Sequence, residues 1–227
     1  SEKLGVAIVI ENRAGAGGLI AMNAIAAAKP DGYTIGHGNI QTLAISPHLT
    51  VKSMDMLKQI DYVGLIGMVP NILVAGPSIS KEVSSLPSLI SYAKLHPGKL
   101  SYASGGMGTS HHLAMELLKQ ISGLDILHVS YKSTPAAIND LAGGRIDLAM
   151  DTISGPSSKM EFSSSGVRHL ATTGSERSAE FPELSTISEQ GFPSYAVVAW
   201  SGLIAPKGIE PDKLKVLNDA LDETLGD

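Results

Sequence analysis

The chain has 227 residues, 43% hydrophobic and 17% charged, with a formal net charge of -5. That is enough apolar material for one large or two small globular domains, and it advertises no basic face for nucleic acid or an anionic membrane surface. With no cysteine, disulfides, thiolate metal sites and a cysteine nucleophile are excluded, and no run approaches the ~20 apolar residues of a membrane span. The start, Ser1-Glu-Lys-Leu-Gly, carries no export signal, so localisation is not legible from composition.

Val6 to Ile10 is an apolar, β-branched run that predicts a parallel strand covered on both faces. Alanine-rich Leu19 to Lys29 predicts a helix ending at Pro30-Asp31-Gly32, and Tyr33 to His37 a second strand. Further strands are expected at Tyr62 to Met68, Ile72 to Ala75, Leu100 to Ala103, Leu127 to Val129 and Ile146 to Met150. Between them come helices over Leu86 to Leu95, Thr109 to Ser122 closed by Gly123, and Pro135 to Ala142 closed by Gly143-Gly144. Thr152 to Arg168, rich in Ser, Gly and Pro, reads as a loop or short frayed helix with Ser163-Ser-Ser-Gly at a surface turn. A short strand at His169 to Thr173, an apolar stretch from Tyr195 to Ile204 and a helix from Asp212 to Leu225 complete an α/β pattern with mostly parallel sheets.

The stretch Ser101 to Lys119 carries the most chemistry, because it runs from a strand through Gly105, Gly106 and Gly108 into a helix capped by Thr109. Unpaired N–H donors in the first helical turn suit a carboxylate or phosphate; the same residues would equally make a turn whose cap satisfies itself. Ser104 reads as a hydroxyl donor lining that site. His111 and His112 are adjacent and project about 100° apart, so they do not converge on a metal as i, i+4 ligands do. His112 either bonds locally and orders the loop or faces a ligand. Asp151 follows an apolar strand, where open α/β sheets place their crevice, and would accept a hydrogen bond from a ligand or cap the turn through Thr152-Ile153-Ser154. Trp200 is divided between packing near a hinge and forming a cleft wall.

Gly15-Ala-Gly-Gly-Leu-Ile fails as a dinucleotide turn, since Ile20 stands where the third glycine belongs and no acidic residue follows at the right distance. Gly98-Lys99 is followed by Leu100, which removes a phosphate P-loop, and no Gly-x-Ser-x-Gly elbow presents a hydrolase nucleophile.

Taken in order, these segments resemble a substrate-binding protein of the tripartite tricarboxylate transporter system, the Bordetella uptake gene family. The resemblance is carried by Val9-Ile-Glu-Asn-Arg-Ala-Gly-Ala-Gly-Gly, Lys29-Pro-Asp-Gly-Tyr-Thr, Val63-Gly-Leu-Ile-Gly-Met-Val-Pro-Asn and Pro97-Gly-Lys-Leu-Ser-Tyr-Ala-Ser. It continues through Gly108-Thr-Ser-His-His-Leu, His128-Val-Ser-Tyr-Lys, Asp140-Leu-Ala-Gly-Gly-Arg-Ile-Asp and Trp200-Ser-Gly-Leu-Ile-Ala-Pro, spanning nearly the whole chain. It implies a two-lobed periplasmic-binding-protein architecture of type II, the Venus flytrap, with residues 1–71 and 198–227 in lobe 1 and 72–197 in lobe 2. Relatives begin with an Ile-x-x-Val-Pro-Phe-x-x-Gly-Gly strand and loop, so the expectation is a chain truncated at both ends with lobe 1 incomplete. Ser130 and Ser133 depart from the usual Val-Pro-Tyr-Lys-Gly, and Gly36-His-Gly-Asn is a second departure.

The implied activity is that of a periplasmic receptor, not an enzyme, which captures a small organic acid in the interlobe cleft and delivers it to the membrane subunits of the transporter. A monomer without cofactor, metal or nucleic-acid partner is expected. Carried over by position, Ser104, Gly108, Thr109 and His112 would line the lobe 2 side, with Asp151 near the far end of the ligand. Asn39, Gln41 and Thr42 would supply polar contacts from lobe 1, and the roles of His37 and Lys132 stay open. Two other classes share the architecture: a ligand-sensing regulatory module, for which no helix-turn-helix segment is visible, and a hydrolase using Ser104 and His112.

Overall fold

A computed structural model of the chain describes residues 2–13, 15, 18–49 and 55–226. Its helices are α1 (Leu19–Ala26), α2 (Leu86–Leu95), α3 (Ser110–Ser122), α4 (Thr134–Ala142) and α5 (Pro211–Leu225). Its strands are β1 (Gly36–Asn39), β2 (Ile60–Ala75), β3 (Leu100–Ser104), β4 (Ile126–Ser130), β5 (Leu148–Thr152), β6 (Arg168–Thr172) and β7 (Val198–Pro206). Single turns of helix lie at Gln41–Ile45, Ser46–Leu49, Pro156–Lys159 and Phe162–Ser165.

Local chemistry sets the helix ends. At α2, Ser85 Oγ accepts the Ser88 N–H at 3.4 Å while Ser88 Oγ accepts the Ser85 N–H at 3.0 Å, a reciprocal capping box. Thr109 caps α3, and Gly123, at φ 69°, closes it in the left-handed conformation. Helix α4 begins after Ser133 with Pro135 in its first turn, where a missing N–H costs nothing.

The chain divides into two compact units, Ser1–Met68 with Trp200–Asp227, and Val69–Ala199. In the second unit, β3 runs parallel to β4 (Leu100 opposite Ile126) and to β5 (Tyr102 opposite Leu148). Strand β2 is antiparallel to both β5 (Asn71 opposite Thr152) and β6 (Ile72 opposite Thr172). The sheet is therefore mixed rather than mostly parallel: helical crossovers align β3, β4 and β5, while β2 enters with the direction given by the preceding chain.

Alternation along β2 divides this unit's core in two. Leu73 and Ala75 pack with Tyr102, Leu148 and Met150 beneath Leu86, Leu89, Met115 and Leu118 of α2 and α3. On the opposite face Ile72 and Val74 join Ala103 and Ala149 beneath Ile138 and Leu141 of α4.

In the first unit, β1 pairs antiparallel with β7, Gly36 opposite Ile204, and β7 neighbours β2. Met22, Ile25, Leu43, Met56, Ile60 and Ile204 form one apolar cluster, with Trp200 partly buried against it. Val63, Ala205, Ile209 and Leu217 form another. Of the leucines spaced along α5, Leu217 is buried while Leu225 is exposed, so the apolar stripe fades toward the C-terminus.

Two further expectations change. Val6 to Ile10 forms no regular strand, with Val9 90% and Ile10 83% exposed. A β-branched run becomes a buried strand only where neighbours supply ladder bonds, and among the described residues none pairs with it. The strands expected at Tyr62 to Met68 and Ile72 to Ala75 are one continuous β2, which passes through Pro70. Ala16 and Gly17 of the first glycine-rich turn lie outside the described residues.

Candidate functional site

The turn from Ser104 to Thr109 joins the carboxyl end of β3 to α3. Ser104 is fully buried; its Oγ lies 2.8 Å from His128 Nε2 and accepts the Gly106 N–H at 3.2 Å. Thr109 Oγ1 donates to the Gly106 carbonyl at 2.8 Å and accepts the His112 N–H at 3.3 Å. Gly108 donates its N–H to His112 Nδ1 at 3.2 Å, which fixes Nδ1 as an acceptor and leaves the proton of the neutral ring on Nε2. The hydroxyl and amide groups expected to meet a ligand thus largely satisfy one another.

Behind this turn the His112 and His128 rings lie 4.4 Å apart, and His128 stacks on Tyr102 at 4.7 Å. Tyr102 donates to Glu116 Oε1 at 2.6 Å, and Lys119 Nζ approaches the same oxygen at 2.7 Å. Burial pushes His112 and His128 below the ordinary imidazole value and Tyr102 above the ordinary phenol value, with Glu116 adding to the latter. The serine–imidazole contact that a hydrolase would need pairs Ser104 with His128, not His112, and the buried Ser104 hydroxyl presents no surface to a substrate.

A second group of polar atoms, not evident from the sequence, gathers beside Gly105. A Cβ placed on Gly105 would stand 2.7 Å from Thr134 Oγ1, 3.5 Å from Thr134 N and 3.7 Å from His111 Nδ1. Thr134 opens α4, whose N-cap Ser133 makes no side-chain capping bond. His111 is 8% exposed, and neither ring nitrogen has a partner among the described residues. Burial holds it below the ordinary imidazole value, outweighing the nearby Asp151 carboxylate, which favours the charged ring. Paired i, i+1 histidines gave no metal-like spacing, so His111 carried no signal of its own; the placement of Thr134 beside Gly105 needs the β3–β4 pairing.

Asp151 lies within β5 rather than beyond it, and is 1% exposed. Its carboxylate accepts the Thr152 N–H at 2.8 Å, the Ser157 N–H at 2.8 Å and the Ser157 hydroxyl at 2.7 Å, bracing the 152–157 turn. Asn71, on the neighbouring β2, is fully buried with both amide atoms unpartnered among the described residues.

In the first unit, Asn39 ends β1, and Gln41 and Thr42 lie in the helical turn Gln41–Ile45. Asn39 Oδ1 accepts the Thr42 N–H at 3.0 Å and Thr42 Oγ1 accepts the Asn39 N–H at 3.1 Å, so these two side chains close the turn on themselves. Gln41 is half-buried, and His37 and Lys132 are exposed.

The sequence profile described as tripartite tricarboxylate transporter family receptor matches residues 1–227. The chain belongs to this family. It is 33% identical to a protein from R. palustris solved with adipate, covering 100% of this chain and 75% of that one with a TM-score of 0.84. The periplasmic binding protein BugD is 30% identical, with a TM-score of 0.84 and coverage of 100% and 74%. MatC from Rhodopseudomonas palustris, solved with bound malate, is 29% identical, with a TM-score of 0.83 and coverage of 100% and 76%. Together these likenesses give the receptor the periplasmic-binding-protein fold. The chain spans about two thirds of the length of the curated relatives it matches.

Proposed function

We propose that this protein is a periplasmic solute receptor that binds a small carboxylate-bearing metabolite and hands it to the membrane subunits of a tripartite tricarboxylate transporter without transforming it. One observation carries the reading: the β3-α3-β4-α4 succession brings the N-termini of two helices to the Gly105 turn, at the carboxyl ends of parallel strands. Helix N-termini present N–H donors and the positive end of the dipole, which favour an anion without any cationic side chain. The bound molecules of two relatives, adipate and malate, are carboxylates of the kind such a site takes. Proton-transfer or nucleophilic machinery is not required, and the buried Ser104 does not provide it.

The test is calorimetric titration with mono-, di- and tricarboxylic acids, malate and adipate included, followed by recovery of the ligand. Saturable binding of one acid or a few related ones, recovered unchanged, is expected. No binding across the panel, or conversion to a product, would refute the reading.

A further inference from the structure

We infer that a ligand carboxylate is seated in the cradle made by Gly105, the backbone N–H and hydroxyl of Thr134, and the His111 ring, and not on the Gly108–Thr109 turn. The inference rests on the carboxylate-receptor reading and goes further by assigning the contact groups. On the turn, the Thr109 hydroxyl, Gly108 N–H and His112 Nδ1 are already paired within the loop. In the cradle, the Thr134 N–H and hydroxyl have no partner among the described residues, and α4 lacks a side-chain cap. Its nine residues are enough to present an oriented dipole.

His111 is the independent sign of a ligand. A buried imidazole with both nitrogens unpaired is costly, and a carboxylate oxygen in the cradle would accept its one N–H. Burial keeps the ring neutral, so it offers one donor and one acceptor rather than a fixed charge. The glycine fits the same account. Gly105 is not one of the residues with positive φ, so the backbone does not demand glycine there; what the missing side chain provides is space beside Thr134 Oγ1.

The experiment titrates the wild type, Gly105→Ala, His111→Ala and Thr109→Ala with malate and with adipate, with thermal melts of each variant alongside. Gly105→Ala, whose methyl would fill the space beside Thr134 Oγ1, and His111→Ala, which removes a hydrogen bond to a charged group, are each expected to weaken binding at least about tenfold. Unchanged affinity in folded Gly105→Ala, or a larger loss from Thr109→Ala, overturns the cradle while the receptor reading stands. Failure of the wild type to bind any acid of the panel overturns both. A readout independent of variant folding comes from the nitrogen-15 signals of the Thr134 amide and His111 ring in the wild type. Both are expected to move as malate or adipate saturates the protein; their standing still during saturation overturns the assignment.

Discussion

Thr109 shows how one side chain can be spent on local structure. Its hydroxyl bridges the Gly106 carbonyl and the His112 N–H, so its first role is to start α3. Thr109→Ala is expected to cost about 1 kcal/mol of stability, the usual worth of an N-cap, measured as a lowered urea midpoint; an unmoved midpoint would show that the cap is redundant. The histidines make a second prediction. His111, His112 and His128 all have folded-state values below 6.5, chiefly because burial disfavours the charged ring. The unfolded chain therefore binds these protons more tightly, and stability is lost as pH falls below about 6.5. The lowered carboxyls of Asp61 and Glu116 act in the same direction, but below their ordinary values of 3.8 and 4.5. Melts between pH 7.5 and 5.5 should show a falling Tm, with a shallower slope in His111→Gln; parallel slopes would mean that His111 does not contribute.

Helices and strands differ in how far local sequence decides them. Helix α2 was readable to the residue because Ser85, Ser88 and Pro87 write its start within four positions. Val6 to Ile10 reads as a strand yet forms none, because ladder partners are not a property of the run itself. Close strand approach is equally non-local. A Cβ on Gly202 in β7 would lie 2.6 Å from the Gly64 carbonyl of β2, a backbone atom that has nowhere to go, whereas a Cβ on Gly67 meets nothing within 4 Å. Gly202→Ala should lower Tm sharply and Gly67→Ala hardly at all; equal effects would refute the close-approach account. In α3, Leu118 is fully buried in the larger core cluster, so Leu118→Ala should cost roughly 2–5 kcal/mol through lost burial and the cavity left behind. A loss below about 1 kcal/mol in urea melts would show that the site collapses around the smaller side chain.

Across the whole molecule, the unit from Val69 to Ala199 is continuous in sequence and holds both larger core clusters, one on each face of its sheet. The other unit is assembled from two distant stretches and holds the two smaller clusters. A fragment of residues 69–199 is therefore expected to melt cooperatively with native-like circular dichroism, and a non-cooperative melt would show that it depends on the rest of the chain. The sequence by itself determined the α/β class, the placement of α2, α3 and α4, and the family, because caps, apolar periodicity and contiguous motifs are local signals. It also pointed to the glycine turn after β3 as a candidate anion site, which we propose rather than observe. The tertiary structure alone decided that β2 runs antiparallel to β5, that Asp151 braces a turn, and which polar groups of the candidate site are spent. Ser104 meets His128 across 24 positions, and His111 and Thr134 converge on Gly105 from different helices. A hydrogen-bond donor is available only if no neighbour has taken it, and those neighbours are brought into place by the packing of the sheet and its helices.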